Sequence, residues 1–144
     1  MPAPYAHIAC CIDDSDVAQR VVDEGLRLRA LGPGRLSLVF AAPQPLVYTG
    51  MAGDWVPDPA DINQAAQRWL EDRAAEVEGA EPVLLTGYPP VAVCDWAAGS
   101  GCDLIIAGSH RGAVQRMLLG SFASYLAYHA PCPVLLVRAQ GGAA

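Results

Sequence analysis

The apolar positions of this chain fall into short continuous runs, separated by longer stretches in which they recur at helical spacing. Five runs stand out: Ile8 to Ile12, Leu36 to Ala42, Pro82 to Thr86, Leu104 to Ala107 and Val134 to Val137. Runs that stay apolar without alternating with polar residues read as strands buried on both faces, the pattern of a parallel sheet. Between the first two runs, Val17, Val21, Val22, Leu26 and Leu28 predict a helix from Asp16 to about Ala30. Asp13-Asp14-Ser15 supplies capping residue types before it, and Gly32-Pro33-Gly34 stops it. Gly25 lies inside that helix at a cost of roughly 1 kcal/mol against alanine, which points to close packing on the sheet.

Asp58-Pro59 predicts the start of a second helix running to about Val77 and ended by Gly79. Ile62, Ala66, Trp69 and Val77 share one face of it, and Trp69 reads as core. Gly87-Tyr88-Pro89-Pro90 is a turn into a short helix, Val91 to Ala98, stopped by Gly99-Ser100-Gly101. After Gly108-Ser109, a glycine-spaced segment with Gly112 leads to Gly120-Ser121 and a last helix, Phe122 to His129. Strands alternating with helices predict an α/β three-layer sandwich, with helices on both faces of a five-stranded parallel sheet. A tail from Gln140 to Ala144 is expected to fray. Residues 43–57 are rich in Pro and Gly and carry Tyr48, Met51 and Trp55; they read either as a flap over a ligand or as a loop packing its own aromatics.

Length and charge narrow the function. The 144 residues suit a single domain, 1–144. No apolar run approaches the ~18 residues that cross a bilayer, and Met1-Pro-Ala-Pro lacks the basic segment of a signal peptide. The expected location is therefore cytoplasmic. A formal net charge of −6 argues against nucleic acid or an anionic membrane as the main partner. Five cysteines without framework spacing read as free thiols. Cys10 and Cys11, adjacent on a strand, should point to opposite faces, and Cys102 should be exposed in a loop. No zinc-ligand spacing, P-loop or nucleophile elbow is present, so catalysis beyond a weak incidental ATPase is not expected.

The stretch DLIIAGSHRGAVQRMLLGSFASYLAYHAPCPVLLVR, Asp103 to Arg138, joins strand, glycine segment, helix and strand. Glycines past a strand let backbone approach a ligand, and a helix opening at Gly120-Ser121 favours an anion. This stretch, its ending HAPCPVLLV and the opening YAHIACCIDDS resemble the universal stress protein family from Tyr5 to Arg138. The resemblance implies strand order 3-2-1-4-5, with a topological switch point between the first and fourth strands, where ligands bind beyond the strand ends. It implies ATP or a related adenine nucleotide, with or without Mg, as ligand. Ile12, Ala41 and Ala107 would lie at the base, and Asp13 would accept a hydrogen bond from the adenosine part. Gly108, Gly112, Gly120 and Ser121 would lie along the phosphate side, and Phe122 would also contact the nucleotide. Asp13 reads equally as a strand-end turn. Arg111 reads either as a phosphate contact or as an exposed loop arginine, and His110 has no assigned role. The resemblance also implies a homodimer through Val134 to Val137, acting as a stress-response regulator or sensor; the alternative is a dimeric interaction module of the same fold that binds no nucleotide. Two departures weaken the nucleotide expectation. Arg111 stands where the family has its middle glycine, with only seven residues between Gly112 and Gly120. Ala123 stands where nucleotide-binding relatives often carry a hydroxyl.

Overall fold

The computed structural model describes residues 4–42, 59–109 and 119–138. Its elements follow in the order β1 His7–Cys11, α1 Ala18–Arg29, β2 Arg35–Ala42, α2 Pro59–Ala75, β3 Ala80–Thr86, α3 Pro89–Ser100, β4 Leu104–Gly108, α4 Ser121–His129 and β5 Val134–Val137. All four strand pairings are parallel, and the sheet order is β3-β2-β1-β4-β5. The expected architecture and strand order are both present.

The apolar runs sort their side chains by strand periodicity. Ile8, Cys10, Leu36, Leu38, Leu104 and Ile106 meet Val21, Val22, Leu70 and Ala74 on the α1/α2 face. Ala9, Val39, Ala41, Ile105 and Ala107 meet Val93, Ala97 and Leu126 on the α3/α4 face, with Cys11 at that cluster's edge. Cys10 and Cys11 therefore do point to opposite faces. The division of helices follows from chirality. The first two crossovers travel one way along the sheet and the last two travel back, so right-handed connections place each pair on its own side.

Gly25 belongs to the α1 contact with the sheet. A Cβ there would lie 2.4 Å from Cys10 Sγ and 3.0 Å from Leu36 Cδ1. Burial pushes the Cys10 thiol up to about 12, so it is a neutral filler at neutral pH. Gly25→Ala gains about 1 kcal/mol of helix propensity but forces an overpacking that costs about 1–3 kcal/mol. Urea titration should show a net destabilisation of about 1 kcal/mol, relieved by a second change, Cys10→Ala. A Gly25→Ala protein as stable as wild type would count against this packing.

Several boundaries move from their expected places. The α1 helix starts at Ala18, with Val17 at the N-cap and no side-chain cap. The expected capping group is used otherwise: Asp13 Oδ1 accepts the Ser15 N–H at 2.8 Å and makes a turn. On α2 the buried face is Leu70 and Ala74, with Trp69 half-buried beside them and packed on Phe40 at 5.0 Å between ring centroids. Gly99 lies within α3, and the helix ends one turn position later at Gly101, whose φ of 72° suits glycine. Cys102 is buried, not exposed. Its N–H returns to the Ala97 carbonyl at 3.2 Å and folds the connection under the helix. Asp103 then clasps the start of β1, accepting the N–H groups of Ala6 at 2.8 Å and His7 at 2.9 Å. Residues 43–57, Asp58 and the tail from Gln140 to Ala144 lie outside the described residues.

Candidate functional site

Neighbouring β1 and β4 carry chain that leaves in opposite directions, which makes the crevice beyond their C-terminal ends the switch point of the sheet. A cleft opens there, with roughly 390 Å³ of empty space including its open mouth, lined by Ile12, Asp13, Ala41, Gly108 and Phe122 together with Cys11, Val17, Ala18, Val39 and Val93. Apart from Asp13, whose carboxylate is the one charged group among them, the lining side chains are apolar, with backbone polar atoms exposed between them. Small residues make the space: Ala41 is the next-to-last residue of β2, on the α3/α4 face, and Gly108 ends β4 without a side chain.

Backbone hydrogen bonds fix the cleft's far side. The Ser109 N–H donates to the Val137 carbonyl at 2.9 Å, and the Gly120 N–H donates to the Ser109 carbonyl at 2.9 Å. The end of β4, the end of β5 and the start of α4 are thereby held together. Gly120 is the N-cap of α4, with φ −60°, ψ 156° and no side-chain cap. That is a conformation any residue adopts, so the backbone itself does not require glycine here. Lacking a side chain, Gly120 leaves no Cβ in front of the helix N-terminus. Across the sheet end, the Arg20 guanidinium donates to the Arg138 carbonyl, which brings a cation to the α1 side of the same rim.

The sequence-derived residues divide into three groups. Ile12, Asp13, Ala41, Gly108 and Phe122 come together on the cleft. Gly120 and Ser121 adjoin it at the start of α4, whereas Ala107 is fully buried beneath Gly108 and forms core rather than wall. His110, Arg111 and Gly112 lie outside the described residues. Asp13 acts as a strand-end turn through Oδ1 while also lining the cleft, so its two readings are compatible. Val39 and Val93 were not anticipated. Val39 precedes Ala41 by two residues and shares its face, a signal the strand period contained. Val93 arrives from α3, and nothing local in the sequence announces it.

An apolar slot with a carboxylate at its rim and a helix N-terminus beside it suits a flat, partly apolar group bearing an anionic tail. This chemistry fits the two parts of an adenine nucleotide, which is the fit the candidate residues had to meet. Among the described residues no cluster of three or more His, Cys, Asp or Glu side chains could hold a metal ion, and no helix is long and apolar enough to cross a membrane.

Fold and cleft together define an α/β protein with an open crevice at its switch point. The chain belongs to the universal stress protein family, whose family model matches residues 4–138. A universal stress protein of Thermus aquaticus is 33% identical over 145 residues, covering 93% of this chain and 99% of that protein. Among solved structures, one from the universal stress protein family of Burkholderia pseudomallei superposes with a TM-score of 0.70 at 26% identity, covering 94% of this chain and 97% of that one. A universal stress protein solved in complex with cAMP superposes with a TM-score of 0.65 at 25% identity, covering 92% and 97%.

Proposed function

We propose that this chain is a cytoplasmic, homodimeric stress-response regulator or sensor that binds ATP or a related adenine nucleotide weakly in the switch-point cleft. The observation that carries the reading is the convergence of Ile12, Asp13, Ala41, Gly108 and Phe122 on one crevice beside the α4 N-terminus. The cAMP complex of a relative supports an adenine ligand class for this fold. The base enters the slot between Ile12, Ala41 and Phe122, Asp13 takes a hydroxyl or amino hydrogen of the adenosine, and the phosphates face Gly108, Gly120 and Ser121. Affinity is weak because Arg111 replaces the family's middle glycine and Ala123 its frequent hydroxyl. Each lost hydrogen bond to a charged phosphate weakens binding by roughly 1.5–3 kcal/mol, about one to two decades. The acidic run Asp13, Asp14 and Asp16 at the same rim opposes the tail further. Binding rather than turnover is the activity, and a Mg ion would be carried by the phosphates.

Calorimetry with ATP should give micromolar or weaker affinity, with amide shifts at Gly108, Gly120 and Ser121. No heat and no shift at millimolar ATP would favour the alternative, a dimeric interaction module without nucleotide. In the dimer, each subunit covers its partner's β5 edge, an apolar edge strand that would otherwise invite aggregation. Leu135 on that strand is 37% exposed.

A further inference from the structure

Cys94, Cys102 and Cys132 share the core cluster on the α3/α4 face, and Cys102 and Cys132 precede β4 and β5 at the end of the sheet opposite the cleft. Cys102 and Cys132 are neighbours, each close enough to bear on the other's titration, and the Cys102 thiol donates to the Leu104 carbonyl at 3.2 Å. Their backbones enter β4 and β5 side by side: Ile105 pairs with Val134, and the Ile105 N–H donates to the Pro133 carbonyl at 3.0 Å. Extended back, that register puts Cys132 one position from Cys102 on the neighbouring chain, and a disulfide between them needs Cα atoms roughly 4.4–6.8 Å apart. Cys102 is buried while Cys132 is half-exposed, so one sulfur is reachable and the other waits behind it.

We infer that Cys102 and Cys132 form a reversible, oxidant-driven disulfide, a modification site independent of the nucleotide reading. A hydroperoxide oxidises the Cys132 thiol to a sulfenic acid and is itself reduced to water or an alcohol. The Cys102 sulfur then attacks the Cys132 sulfur, the S–S bond forms, and the sulfenic oxygen leaves as water with the Cys102 proton. The bond closes a ring containing β4, Gly108, Gly120 and all of α4, so oxidation tethers both ends of the segment that builds the cleft's far side.

The reaction is slow. Burial pushes the Cys132 thiol up to about 12, with Cys102 beside it adding to the shift. Only thiolate attacks peroxide, so the oxidation rate should rise about tenfold per pH unit through neutral pH. The site therefore responds to sustained oxidising load and is not a fast peroxide sensor.

The test uses the full chain, hydrogen peroxide at pH 8.5, alkylation in denaturant, and chymotryptic peptide mapping, which cuts after Trp96 and so separates Cys94 from Cys102. The expected product is an intrachain Cys102–Cys132 peptide pair, reversed by dithiothreitol. The oxidised protein should melt roughly 5–10 °C higher. Cys132→Ser and Cys102→Ala should each abolish the pair, and Cys94→Ser should keep it. Complete alkylation of all five cysteines after peroxide would overturn the inference, as would a bridge through Cys94, a disulfide-linked dimer, or sulfinic acid accumulating at Cys132.

Discussion

Gly120→Val should leave the melting temperature within about 2 °C of wild type while lowering adenine-nucleotide affinity at least 100-fold. The two halves of this expectation have separate causes. The backbone at Gly120 has φ −60° and ψ 156°, where valine sits without strain, and the residue is not part of either core cluster. The fold therefore has little to lose. The ligand loses its approach, because a branched side chain would stand where phosphate must come within hydrogen-bond distance of the first α4 amides. Losing two such contacts at roughly 1.5–3 kcal/mol each amounts to about two to four decades. Calorimetry beside thermal melting measures both halves. A folded Gly120→Val protein that binds ATP as wild type does would move the phosphates away from α4 and sink this placement. A variant that melts far lower would show that glycine serves the fold.

The sheet was legible because its inner strands β1, β2 and β4 are buried on both sides, so their runs are almost continuously apolar, Ser37 being the exception. The ends of elements were less legible, for a reason Asp13 shows. Its carboxylate serves equally as a helix cap and as the acceptor of a turn two residues on, and the sequence does not say which competitor wins. Here the turn wins, and α1 starts at Ala18 without a side-chain cap. Cys102 was misplaced because Gly99-Ser100-Gly101 just before it suggested an open loop, whereas its N–H folds back on Ala97 and tucks the thiol inward. Asp103 closes the start of the sheet by holding the amides of Ala6 and His7 across almost a hundred positions, a contact with no local signature. The cleft was legible where strands supply it, at Ile12, Ala41 and Gly108, since strand ends and small residues are visible in one dimension. It was not legible at Val93, which comes from a helix packed over the sheet.

Leu135→Glu should convert the proposed homodimer into a folded monomer at micromolar concentration. Leu135 is the exposed residue of β5 on the α1 side, and β5 is the last strand of the sheet. Nothing in the subunit's own core depends on it: Val134 and Leu136 pack toward α3 and α4, and Val137 packs on the opposite core. A charge at that position costs the isolated subunit little, since surface changes of this kind stay within about 0.5 kcal/mol. In a two-fold interface the same patch meets itself, so one substitution places two carboxylates in the contact. Burying a charge without a partner costs several kcal/mol, enough to lift a micromolar dissociation constant by more than a hundredfold. Sedimentation velocity on wild type and variant, with circular dichroism to establish that the variant is folded, decides the matter. A wild-type monomer would remove the dimer altogether. A Leu135→Glu protein that still sediments as a dimer would place the interface on another surface, such as the one carrying Tyr128, which is 86% exposed on α4.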